Sequence, residues 1–160
     1  YWNVQKNKQA YKRTMTGQPK SVKIKEAMAY EIQIMMSMEF SELDVEIALL
    51  RESRLRRTLT ISPYVFLSFL IFLCHHRLQS PLADHSLLEL HSLVHSDNGR
   101  YIVSYTRDIA WDILGICHHL AGNLDEAFLA YHTSLQQTPI NSITEATKFR
   151  MLLLQSLFEN

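Results

Sequence analysis

Glycine and proline are scarce, four of each in 160 residues. An all-β domain needs many tight turns, and collagen-like or linker sequence needs far more of both residues, so an all-α protein is the expectation. Cysteine is scarce as well. Cys74 and Cys117 stand singly inside apolar stretches, unlike the spaced framework of a disulfide-stapled secreted domain, which points to a reducing intracellular compartment, cytoplasmic or nuclear. There is no net charge: sixteen basic residues balance sixteen acidic ones, so the chain as a whole lacks the electrostatic footprint of a nucleic-acid or membrane-surface binder. A run long enough for a membrane span is missing too. The longest uncharged stretch, Thr58 to Cys74, opens with two threonines and Ser62-Pro63 and ends against His75-His76-Arg77. It falls short of the about 20 apolar residues that a spanning helix requires, and reads as a helix buried on most sides in a helical stack.

What the chain does contain is 47% hydrophobic and 20% charged residues, enough for one ordinary core or a few stacked helical repeats, which excludes a disordered chain. The charge is uneven. Lys6, Lys8, Lys12, Arg13, Lys20, Lys23 and Lys25 precede the first acid, leaving sixteen acids against nine bases in the remainder. Residues 1–19, with Tyr1, Trp2 and Tyr11 among the lysines, read as a basic, partly ordered lead-in; a nucleic-acid contact would belong there and is not the expected function. The chain opens on Tyr1-Trp2-Asn3 rather than Met and stops at Asn160 inside an apolar helical pattern, so it reads as a piece of a longer protein, with residues 20–160 forming one helical domain.

Helix starts are marked by polar residues before an apolar run: Ser62-Pro63, Ser80-Pro81 and Gln18-Pro19 place proline at a first helical turn, where its missing amide costs nothing. Ser41 with Asp44, Asn123 with Glu126, and Ser142 with Glu145 have the spacing of reciprocal caps. These signals predict helices over 20–37, 41–57, 63–77, 81–95, 101–120, 123–137 and 143–159. The connections are short, which makes successive helices antiparallel neighbours.

From Asp108 to Asn141 the chain contains Trp111, Leu114, Gly115, His118, Gly122, Ala127, Tyr131 and Pro139. That spacing resembles the tetratricopeptide repeat, whose pattern is Trp, two residues, Leu-Gly, two residues, Tyr, then Ala, three residues, an aromatic, and a later Pro. His118 stands where Tyr is usual. On one helix Trp111, Leu114 and His118 share a face; on the next, Ala127 and Tyr131 face back, with Gly115 and Ala127 small enough to let the backbones approach. A second, weaker unit begins after Ser142, with Phe149 for the Trp and Leu152 for the Leu. Upstream, the 63–77 and 81–95 helices form a hairpin of similar size at an interval of about 41 to 43 residues rather than 34.

The resemblance implies antiparallel helical hairpins stacked as a right-handed superhelix, and a function in holding a peptide or helix of another protein on a concave groove. The residues it places on the groove side are Ile109, Asp112, Ile116, His119, Leu120, Arg150, Leu154 and Phe158, with Thr147 beside them. This groove is mostly apolar. Family members that grip acidic chaperone termini carry Lys and Asn where this chain has Asp112 and Ile116, so the implied partner is an apolar or amphipathic segment. Asp112 and Arg150 have a purely structural alternative, a pair across neighbouring helices. The competing function is a dimerisation module, a homodimer formed through the apolar 64–73 helix or an incomplete end repeat.

No phosphate-binding glycine loop, nucleophile elbow or paired carboxylate motif is present, so no catalytic residue and no cofactor is assigned. Cys74-His75-His76 and Cys117-His118-His119 repeat one triplet. Adjacent residues on a helix point about 100 degrees apart, so neither triplet closes a tetrahedral zinc site alone. His91 and His95, four apart, are the better-spaced pair, but they lack a clear third ligand, and no metal is assigned.

Overall fold

The computed structural model describes residues 17, 32–35, 41–52, 58–137 and 143–158. The chain divides into two units, Tyr1–Tyr30 and Glu31–Asn160, and the elements of the described residues belong to the second. The basic lead-in apart from Gly17, the proline at 139 and the cap at Ser142 lie outside the described residues.

The order of elements is β1 (Ile32–Met35), a 3-10 turn (Ser41–Leu43) running into α1 (Asp44–Glu52), β2 (Thr58–Ile61), α2 (Pro63–Arg77), α3 (Ala83–Ser96), a second 3-10 turn (Ser104–Thr106), α4 (Arg107–Leu120), α5 (Leu124–Gln136) and α6 (Thr144–Phe158). The described residues are mostly helical, in keeping with an all-α protein. None of their helices is long and apolar enough to cross a membrane.

Upstream of Ser62 one helix prediction needs correction. The helix expected over 20–37 is replaced at Ile32–Met35 by a strand, paired antiparallel with β2 so that Ile32 faces Ile61 and Met35 faces Thr58. Of the helix expected over 41–57, Asp44–Glu52 is helical behind the 3-10 turn at Ser41–Leu43, residues 53–57 lie outside the described residues, and β2 begins at Thr58. Both strand segments are rich in β-branched residues, which suit a pleated, half-buried surface. β2 has the matching period of two: Leu59 and Ile61 are buried while Thr60 is half-buried. A helical pattern read within one segment does not register a pairing partner more than twenty residues away.

Beyond Ser62 the predicted helices match the observed ones to within a turn or so, except that α4 begins at Arg107 rather than 101. Residues 101–106 are instead organised by Asp97. Its carboxylate accepts from the amides of Gly99 at 2.8 Å, Tyr101 at 2.8 Å and Ile102 at 3.1 Å, and the Arg107 guanidinium donates to the Asp97 carbonyl. The caps are also not as spacing suggests. Pro63 does open α2, but the Ser62 hydroxyl makes no cap bond and donates instead to the Tyr101 carbonyl at 2.7 Å. Asn123 precedes α5 without a side-chain cap bond.

α2 with α3, and α4 with α5, form two hairpins whose turns use the same backbone bonds. The amides of Leu78, Gln79 and Ser80 donate to the carbonyls of Cys74, His76 and His75. At the same interval along the chain, the amides of Ala121, Gly122 and Asn123 donate to Cys117, His119 and His118. The repeated Cys-His-His triplet therefore lies in the last turn of two helices that both stop where the second residue past the helix enters the left-handed region: Gln79 at φ 50° and Gly122 at φ 79°. α4 is the central helix. From Asp108 to His118 every residue except Trp111 is buried, with the apolar side chains of α2, α3, α5 and α6 around it.

Candidate functional site

α6 reaches the core with Ile143, Ala146, Thr147 and Leu154 buried, a helical spacing that sets Arg150 on the same side, one turn past Thr147. The Thr147 hydroxyl donates to Asp112 Oδ1 on α4 at 2.8 Å. Arg150 points to α1. Its Nε donates to Glu46 Oε1 at 2.6 Å and its Nη2 to Glu46 Oε2 at 2.9 Å, and Nη2 also donates to the Glu42 carbonyl at 2.8 Å. The Arg150 side chain is 12% exposed and that of Glu46 fully enclosed. This two-pronged guanidinium–carboxylate pair fixes orientation as well as charge.

Three ionisable groups, Asp112, Glu46 and Arg150, thus share one buried volume. Burial first, and then the Glu46 carboxylate, hold the Asp112 carboxyl well above the ordinary carboxylate range, against the opposing pull of Arg150 and Thr147. Asp112 Oδ2 has no hydrogen-bond donor among the described residues. Burial works against the charge of Arg150, but its bonds to Glu46 outweigh that and push its pKa upward, so it stays a cation. A second basic group closes the edge: Arg77, at the end of α2, pairs with the Glu42 carboxylate and donates to Ser41 Oγ at 3.3 Å.

Of the residues expected on a groove, Ile116, His119, Leu120 and Arg150 come together and line one cleft of about 240 Å³ with Ser41 and Glu42. Asp112 lies beneath it, buried. Ile109 and Leu154 are buried in the core and present no surface, and the side chain of Phe158 lies outside the described residues. The face is covered, because the 3-10 turn and α1 rest on it. Sequence reasoning did not name Glu42 or Glu46. A signal existed for the latter: Glu46 falls on the stripe of Leu43 and Ile47, a charge on an apolar helix face, which calls for a buried partner.

An apolar cleft of about 570 Å³ lies on the outer side of α1 and α6, lined by Val45, Ala48, Leu49, Phe149 and Leu152 with Asp44, Glu145 and Lys148 at its edges. Leu153 and Leu157 are also exposed on α6. In the first hairpin Leu67 and Ile71 are exposed, although Val65, Phe69 and Phe72 of the same helix are buried.

The histidines form a separate cluster. His91 and His95 on α3 stack at 3.8 Å, His95 meets the Trp111 ring edge-on at 4.5 Å, and His91 Nδ1 lies 3.3 Å from His118 Nε2 on α4. His95 Nδ1 is turned to the His91 carbonyl, and no group of three or more His, Cys, Asp or Glu among the described residues is placed to hold a metal ion. Burial, then neighbouring imidazoles, lower the pKa of His91 and His118, with Glu126 opposing. Cys117 is buried, which pushes its thiol well up and leaves it inert, whereas Cys74, though set in an apolar stretch, is exposed.

Compared with protein-family models, with characterised proteins and with solved structures, the chain matches none.

Proposed function

We propose that this chain is a protein-interaction module, built of tetratricopeptide-like hairpins stacked as a right-handed superhelix, whose α4–α6 face receives an amphipathic helix of another protein. One observation carries this reading: Arg150 of α6 grips with two bonds the Glu46 carboxylate of a helix lying against it, beside the Thr147–Asp112 bond that ties α6 to α4. The repeated turn bonds of the two hairpins and the packing of Tyr131 and Ala127 into the core support the stacked-repeat part. Such a module acts by burial and by a charge-paired anchor, without a chemical step.

The test is selection from a displayed library of amphipathic helices, followed by anisotropy titration of the recovered peptides. Arg150→Ala and Ile116→Asp are expected to weaken binding at least tenfold. Recovered helices that bind both variants as well as the unaltered chain would remove this face from the argument.

The second reading, a homodimer, is favoured by a different observation: the apolar outer face of α6, where Leu152 is 63% exposed and adjoins the larger cleft. Sedimentation velocity decides it. A dimer that Leu152→Glu dissociates supports self-association, and a monomer at every concentration ends it.

A further inference from the structure

Resting on that reading of the α4–α6 face, we infer that the 3-10 turn and α1 are the module's own displaceable occupant. The partner helix that replaces them carries an apolar residue, then Glu three positions later and an apolar residue directly after it, as in Leu43, Glu46 and Ile47.

α1 is seated on the face as a ligand helix is. Leu43, Glu46 and Ile47 are buried, Asp44 and Ala48 are exposed, and Val45 and Leu49 are half-buried. Positions i, i+3 and i+4 are the anchors of a helix lying in a groove. Its polar anchor is the Glu46 carboxylate held by both prongs of Arg150, with the Glu42 carbonyl taking a further bond from the same guanidinium. A pair of this kind sets register and selects Glu over other side chains, while its net contribution to stability is offset by the desolvation of both ions.

Release is helped by three features. The described α1 has nine residues, fewer than the about 12 to 15 that a helix needs to persist alone in water, so docking supports its helicity. The occupied site holds two carboxyl groups, Glu46 and Asp112, against one guanidinium. When Glu46 leaves for water, Asp112 keeps its Thr147 hydrogen bond and loses the neighbouring carboxylate that disfavours its ionisation, so it can take the charge opposite Arg150. Finally, the cleft of about 240 Å³ beside Arg150, with Ile116, His119 and Leu120 on its wall, gives an incoming helix a foothold before α1 has moved. Arg77 on Glu42 acts as an exposed latch that screening weakens.

The experiment uses the full chain with Leu43→Asp and Ile47→Asp, which drives α1 off the face without touching Arg150. The probe is a labelled synthetic peptide copying residues 41–52. The opened variant is expected to bind this peptide at least tenfold tighter than the unaltered chain does. It should also prefer the peptide at least tenfold over the copy with Glu46→Ala, a preference that Arg150→Ala in the opened variant abolishes. An opened variant that stays helical and binds the peptide no better, or without that preference, overturns the inference. Hydrogen exchange on the unaltered chain decides the matter should the opened variant unfold. Amides of Val45 to Leu49 exchanging at least a hundredfold faster than those of Ile113 to Cys117 support a detachable segment, and equal protection overturns it. Library helices that bind through Arg150 while the 41–52 peptide fails would leave the groove function standing and remove only the built-in occupant; if neither binds, both are lost.

Discussion

Gly115 on α4 lies directly under the ring of Tyr131 on α5: a methyl group at Gly115 would sit 2.5 Å from Tyr131 Cε1 and 2.6 Å from Cδ1. The ring is fully buried and has no free direction to move in. The closest approach in the α4–α5 hairpin therefore depends on an absent side chain facing a large one.

Gly115→Ala is expected to destabilise the fold by about 1–3 kcal/mol through overpacking, despite the higher helix propensity of alanine. Urea denaturation measures this. Stability equal to that of the unaltered chain would mean the hairpin can open to admit the methyl.

The Tyr131 hydroxyl is buried without a hydrogen-bond partner among the described residues. Removing an unsatisfied polar atom relieves its desolvation, so Tyr131→Phe is expected to leave stability unchanged or raise it by about 1 kcal/mol. A marked fall in the thermal midpoint would contradict that assignment.

Asp97→Ala removes the acceptor of three loop amides. The expected loss is about 2–3 kcal/mol, since hydrogen bonds to an ionised group are among the stronger ones and the Ile102 amide is left buried. Calorimetry would show it, and faster exchange of the 99, 101 and 102 amides should accompany it.

The histidine cluster gives stability a pH dependence. The values of His91 and His118 are lowered from 6.5 by burial first, then by His95 for His91 and by His91 for His118, so the unfolded chain binds more protons once the pH falls through that value. Their contribution is complete above 6.5 and is lost as the pH drops toward the folded-state values. The charged and titratable groups facing them are His95 on α3 and Glu126 on α5, with Trp111 and Asn123 alongside. The urea midpoint is expected to fall between about pH 7.5 and about pH 5.5, and to fall less in the His91→Gln, His118→Gln variant. Parallel profiles would clear these two residues of the effect.

Asp112 acts in the opposite direction. Its folded-state value is raised, so the native chain holds the proton more tightly, and this stabilising contribution is present at low pH and lost as the pH rises through the folded-state value. Asp112→Asn keeps an acceptor for Thr147 and removes the titration. The variant is expected to match or exceed the unaltered chain in urea midpoint at about pH 7 and to lose that advantage near about pH 4. A lower midpoint at neutral pH would show that the ionised carboxylate is needed.

Between Ser62 and Gln137 much of the architecture was legible, because its signals are local. Pro63 marks a helix start, Gly122 marks a helix end, and the spacing from Trp111 to Tyr131 describes two facing helices within one short segment. The cap bonds were not legible, since Ser62 has a better partner in the Tyr101 carbonyl, which only the fold brings near. The candidate site was half legible. The grouping of Ile116, His119 and Arg150 is what the repeat resemblance implied, whereas their covering by α1 was not.

The amino-acid sequence alone determined the helical class and the two hairpins from α2 to α5, since periodicity and turn chemistry act over a few neighbouring residues. Tertiary structure alone decided that Ile32–Met35 pairs with Thr58–Ile61, and that Glu46 meets Arg150 across 104 positions of chain. Strand pairing and buried charge pairing depend on which distant groups share a low-dielectric space, and no local pattern encodes that.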